Sequence, residues 1–174
     1  MKSVVPESPE QTARKLRRRL GIDNLTWIDP MTVLQKLARL IPGFSFKLVS
    51  AEELGGKLAR WDSSKKQIVI CDELFFAANE QRQEGRARYS LFHEVVHALE
   101  GHVGVFYRDT SRANIPIYAK KLRALERSTD QITAALMAPK HLILAEYGPS
   151  DIAFRFGMSL RAAEIRWSEI RRSD

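Results

Sequence analysis

The sequence is short of cysteine. Cys71 is the only one in 174 residues, which excludes an internal disulfide framework and a thiolate metal cluster. It also lacks any apolar run near the roughly 20 residues needed to cross a bilayer, so no membrane partner is expected. Met1 to Glu10 has two prolines and two glutamates in place of the apolar core of a secretory signal, which makes the cytoplasm the expected location. Low-complexity tracts and internal repeats are missing. With 44% apolar and 28% charged residues, a disordered tail and a collagen-like fibre are excluded as well. What remains is a globular chain of one domain over residues 1–174, with an N-terminal helix within 1–24 and a helical hairpin over 148–174.

Positive charge is in excess, at a net +7. Much of it is arginine and lysine at the two ends: Arg14, Lys15, Arg17, Arg18 and Arg19, then Arg161, Arg166, Arg171 and Arg172. A solvated helix face accounts for such a pattern; a docking surface for an acidic partner or a polyanion is the sharper alternative.

Turn and cap signals divide the chain. Ser8-Pro9-Glu10-Gln11 predicts a capped helix with Ala13, Leu16 and Leu20 on one face, ended by Gly21. Asp29-Pro30 starts a second helix, with Val33, Leu34, Leu37 and Leu40 as its stripe, stopped by Pro42-Gly43. The period then changes to two. Phe44 to Leu48, Lys57 to Trp61 and Gln67 to Cys71 read as three strands, the last apolar enough to be central. The short turns between them predict an antiparallel meander. Helical pattern returns near Leu74, from about Arg86 to Glu100, and from Pro116 to Met137, with a loop at 101–114. The expected fold is α+β: a small three-stranded antiparallel sheet in a mostly helical surround.

The string His93-Glu94-Val95-Val96-His97 lies inside an apolar helical segment. Residues i and i+4 share a helix face about 6 Å apart along the axis, so two imidazoles there reach one metal ion. Glu94 is rotated by about 100° to the side of that face, where its carboxylate can take a proton from metal-activated water. The same residues unmetallated would bury several polar groups in need of partners.

A hydrolytic zinc site takes three protein ligands and leaves one position open. His102 lies five residues after His97, whereas the metzincin arrangement needs a histidine six residues on with a glycine between. Glu100 is one turn beyond His97, but its Cα lies about 10 Å along the axis from His93. Asp109 and His141 have no supporting pattern. Glu126 and Asp130 form another i, i+4 pair on a strongly helical stretch. Glu126 is the expected third ligand, and Asp130 can accept the free ring N–H of a ligand histidine.

These residues resemble the ImmA/IrrE family of gluzincin-type metallopeptidases. Arg88 to His102 is similar to the family's active-site helix and the histidine that follows it. Glu126 to Pro139 resembles its second block, a glutamate and an acidic position before an apolar run ending in proline. The order of elements matches too, and together these cover about residues 25 to 170. The chain departs at Ile132-Thr133, where the family shows Phe-Ala, and at Leu136-Met137-Ala138-Pro139, where it shows Leu-Leu-Met-Pro. Such a resemblance implies a cytosolic zinc peptidase that cleaves a DNA-binding repressor. The stretch before residue 25 is too short for a helix-turn-helix domain, so the expected protein substrate is a separately encoded repressor.

The expected mechanism uses zinc on His93, His97 and Glu126, with Glu94 as general base and then as proton donor to the leaving amine. Tyr107, Tyr118 and His141 are each able to stabilise the oxyanion. A different class of function stays open. Asp151 to Ala163 has the cadence of a helix-turn-helix, and Arg161, Arg166, Arg171 and Arg172 could touch phosphates. The bland alternative packs this hairpin on the core through Phe154, Phe156, Ile165 and Trp167. A metal-binding regulator that does not cleave is the third possibility.

Overall fold

The computed structural model describes residues 7–79, 85–103, 105–106 and 116–172. Helix α1, Pro9–Leu20, begins with the reciprocal cap predicted for it. The Gln11 backbone N–H donates to Ser8 Oγ at 3.3 Å, and the Ser8 N–H donates to Gln11 Oε1 at 3.0 Å. Helix α2, Pro30–Leu40, begins with Asp29, whose carboxylate accepts from the Thr32 N–H at 2.7 Å. Their apolar stripes, Ala13, Leu16 and Leu20 on α1 and Val33, Leu34 and Leu37 on α2, are all buried.

Strands β1 (Ser45–Val49), β2 (Ala59–Asp62) and β3 (Gln67–Cys71) form a sheet with a two-residue fourth strand, β4 (Val105–Phe106). The order is β1-β3-β2-β4. This corrects the antiparallel meander: β1 runs parallel to β3, while the β2–β3 and β2–β4 pairings are antiparallel. The reason lies in the connection over 50–58, which is not a tight hairpin. Gly55 and Gly56 take left-handed φ values of 62° and 76° in succession, a conformation that glycine tolerates and side chains resist. That fold-back carries the chain past the place of β3, and β2 enters on its far side. The apolar run Ile68, Val69 and Ile70 is buried throughout, as a central strand covered on both faces requires.

After β3 come α3 (Asp72–Asn79), α4 (Gly85–Leu99), α5 (Pro116–Met137), a 3-10 turn at Lys140–Leu142, α6 (Pro149–Phe156) and α7 (Leu160–Arg172). The centre of the fold is α4. Apart from half-buried Tyr89, every residue from Ala87 to Leu99 is buried, and the helix touches α2, α3, α5, β2 and β3. A helix buried nearly all round belongs to the core, and this one carries Arg88, Ser90, His93, Glu94 and His97 into the interior with it. None of the described helices is long and apolar enough to cross a membrane.

Two close approaches lock this arrangement. Gly157 ends α6 at φ 63°, and a Cβ there would stand 2.5 Å from the Trp27 ring and 2.6 Å from Arg88 Nε. The Arg88 guanidinium lies over the Trp27 ring at 3.7 Å and donates to the Ile28 carbonyl at 2.8 Å. Arg17, fully buried, donates to the carbonyls of Leu136 at 2.6 Å, Ile22 at 2.7 Å and Asp23 at 3.2 Å, and also to that of Leu25. Burial lowers its pKa to about 10, against the pull of Asp23 and Glu10. Arg166 is likewise buried. It bonds the Ala138 carbonyl at 2.8 Å and the Glu10 carboxylate. Two of the terminal arginines read as a charged face are therefore internal struts, and Arg166 is not placed to meet phosphates.

Candidate metal centre

The face of α4 carrying His93 and His97 turns toward α5. Both rings are almost inaccessible, at 2% and 0% exposure, and their Nε2 atoms stand 3.1 Å apart. Glu126 reaches them from the middle of α5, with Oε2 3.2 Å from His93 Nε2 and Oε1 3.4 Å from His97 Nε2. Among the described residues these three form a group able to hold a metal ion.

The other nitrogens of the two rings are occupied differently. His93 Nδ1 lies 3.1 Å from Asp130 Oδ1. An ionised carboxylate only accepts, so this nitrogen carries a ring proton, and Nε2, turned toward His97 and Glu126, is the nitrogen left to meet a metal ion. Asp130 is held in turn by the Tyr89 hydroxyl, which donates to its carbonyl at 2.8 Å and to Oδ1 at 3.2 Å. His97 Nδ1 meets His102 Nδ1 at 2.8 Å.

Electrostatics favour a cation at this spot. Burial opposes a charge on His93, yet the hydrogen bonds its ring donates to Asp130 and Glu126, with Glu94 nearby, outweigh it and raise its pKa to about 9. Burial also works against the Glu126 carboxylate, but the two imidazoles overcome it and pull its pKa down to about 2. Burial lowers the His97 pKa, with Glu126 opposing and His93 adding to the fall. Two imidazole nitrogens and a carboxylate pressed together therefore ask for one positive charge between them. Ligands about 2.0–2.1 Å from a tetrahedral zinc ion stand about 3.3 Å apart. The observed 3.1, 3.2 and 3.4 Å fit that geometry, and the nitrogen and carboxylate donors suit zinc.

Glu94 sits beside the group at 3% exposure, with Oε2 accepting from the Trp61 backbone N–H of β2 at 2.7 Å. It lines, with His93, Tyr89 and Asp130, a cleft of about 960 Å³. The segment from Gly55 to Ala59 and the α7 residues Arg161 and Ile165 also line it. The cleft thus meets the ligand group on the side where the carboxylate of Glu94 is fixed.

Sequence reasoning brought His93, Glu94, His97, Glu126 and Asp130 to one place, and there they are. It set aside Glu100, which is exposed at the end of α4. Asp109, Tyr107 and the side chain of Tyr118 lie outside the described residues. His141, the remaining candidate for oxyanion stabilisation, faces Asp23 instead, 3.2 Å from its carbonyl. Two participants were missed. Tyr89 was signalled by its position four residues before His93, on the same face of α4. His102, weighed only as a metal ligand, stands against His97 at the end of that helix. On the hairpin, Phe156 is buried at 1% and Trp167 is half-buried, whereas Phe154 and Ile165 are exposed at 58% and 48%; only part of the expected packing face is used. Comparison of the chain with protein-family models, with curated proteins and with solved structures finds no match in any of the three.

Proposed function

We propose that this chain is a zinc-dependent metallopeptidase of the ImmA/IrrE kind, acting in the cytoplasm on a separately encoded helix-turn-helix repressor. The observation that supports it best is the convergence of His93, His97 and Glu126 with Glu94 fixed alongside at the edge of an open cleft. His93, His97 and Glu126 would hold the zinc ion, which would supply Lewis acidity toward water and a peptide carbonyl. Every other task falls to the chain itself. Asp130 and Tyr89 hold the His93 ring so that its Nε2 faces the ligand group. Glu94 takes a proton from water and passes it to the leaving amine. The Trp61 N–H keeps that carboxylate from rotating away. The cleft seats a peptide against the segment from Gly55 to Ala59.

The test is a digest of a proteome-derived peptide library by the zinc-loaded protein, with new N-termini read by mass spectrometry. Wild type should generate them, and Glu94→Gln should not while retaining full zinc content. No cleavage by wild type, or equal cleavage by the variant, rejects the peptidase reading.

A further inference from the structure

The end of α4 holds a residue whose role the ligand set leaves unexplained. Gly101, at φ 67°, closes the helix. The His102 N–H donates to the His97 carbonyl at 3.1 Å, and the Gly101 N–H to the Ala98 carbonyl at 3.4 Å. This pair of reversed bonds is a Schellman closure, in which the residue just past the glycine is folded back onto the residue five before it. That contact is ordinarily apolar. Here both partners are histidines, their rings 5.0 Å apart and edge to face, with the two Nδ1 atoms at 2.8 Å. The backbone carbonyl of His102 is pinned as well, accepting from Trp61 Nε1 at 3.1 Å.

We propose that His102 is a positioning residue that selects the tautomer of His97. At 2.8 Å one Nδ1 must donate and the other accept. If His102 accepts, His97 carries its proton on Nδ1 and offers the Nε2 lone pair to the ligand group. If His102 donates, the His97 proton is forced onto Nε2, pointing at His93 Nε2 3.1 Å away, and the ligand set loses a donor. Metal binding thus requires His102 as the acceptor. A neutral His102 ring carries one lone pair, and the 2.8 Å approach aims Nδ1 at that of His97. The two ligand histidines are then backed unequally, His93 by the carboxylate of Asp130 and His97 by a neutral ring. This role rests on the metal-site reading above.

The test measures zinc affinity by competition with a chromophoric chelator for wild type, His102→Ala and His102→Asn. Asparagine places its amide oxygen near where Nδ1 was and keeps the acceptor. Loss of an outer partner of a ligand histidine typically costs 10–100-fold in affinity, so His102→Ala should weaken zinc binding by that factor and His102→Asn should restore most of it. Long-range proton–nitrogen correlation spectra of the zinc-loaded wild type should show His97 protonated on Nδ1, a readout that helix-end packing alone does not dictate and that needs no variant. Unchanged affinity in His102→Ala, equal weakening in both variants, or an Nε2-protonated His97 would overturn the role of His102 and leave the zinc site standing. Failure of wild type to bind zinc would overturn the metal reading and this role together.

Discussion

Zinc should act on this fold as a clasp, and the size of the effect follows from where the ligands sit. His93 and His97 come from α4 and Glu126 from α5, so the three meet only when the two helices are packed. The unfolded chain has no comparable site, and binding then stabilises the native state by RT ln(1 + [Zn]/Kd), about 4 kcal/mol at a thousandfold excess over Kd. For a chain of this length each kcal/mol moves the melting temperature by about 2–4 °C, so a rise of roughly 8–16 °C over the chelator-treated protein is expected. If Glu126→Gln weakens the site a hundredfold, the same free zinc is only ten times Kd and contributes about 1.4 kcal/mol, or roughly 3–6 °C. Glu100→Ala removes an exposed carboxylate one turn past His97 and should shift like wild type. The assay is a calorimetric melt at buffered free zinc. The reasoning is refuted if zinc leaves the wild-type melt unmoved, or if Glu126→Gln and Glu100→Ala respond alike.

Three further outcomes are expected. Asp130→Ala strips His93 of its Nδ1 acceptor and should weaken zinc about 10–100-fold in the same chelator competition; unchanged affinity would remove Asp130 from the site. Gly157→Ala and Gly55→Ala both force a side chain into a left-handed backbone, about 1–2 kcal/mol each. Only the former meets Trp27 and Arg88, at 2.5 and 2.6 Å, while nothing lies within 4 Å of Gly55. Urea denaturation should therefore find Gly157→Ala the more damaging, and equal losses would contradict that packing. The Asp62 carboxylate accepts from the Ser64 hydroxyl at 2.6 Å and from the backbone N–H groups of Ser64 and Lys65. These bonds, the hydroxyl first, hold its pKa below the ordinary value against a smaller opposing effect of burial. A depressed carboxylate stabilises the fold above its unfolded pKa of about 3.9 and loses that contribution as the pH falls through the folded value. The deficit of Asp62→Asn in urea midpoint should thus be full at pH 7 and shrink below about pH 4; a deficit constant with pH would exclude the carboxylate as its source.

What the sequence made legible was whatever depends on short-range spacing. The caps of Ser8 and Asp29 follow from local pattern. So does the pairing of His93 with His97 and of Glu126 with Asp130, because one helix turn places each pair on one face. Strand order was not legible, since it depends on how the segment 50–58 folds back, and no periodicity within a strand names its neighbour. Arg17 and Arg166 were misread for a related reason. A local pattern makes an arginine on an amphipathic helix look solvated, yet each finds carbonyls at the far end of α5, those of Leu136 and Ala138. His102 stood in between: the rule that a glycine-closed helix folds its next residue back was available, but it had to be applied to a side chain that chemistry had already set aside.

The hold of Arg17 on Leu136 changes how the first helix should be regarded. Glu126 and Leu136 lie on one continuous helix, ten residues and about 15 Å apart. A buried guanidinium thus grips the tail of the rod whose middle delivers a ligand to the histidines. The opening segment is an abutment for that rod, and a chain trimmed down to its motif-bearing parts would lose the footing that keeps Glu126 in reach.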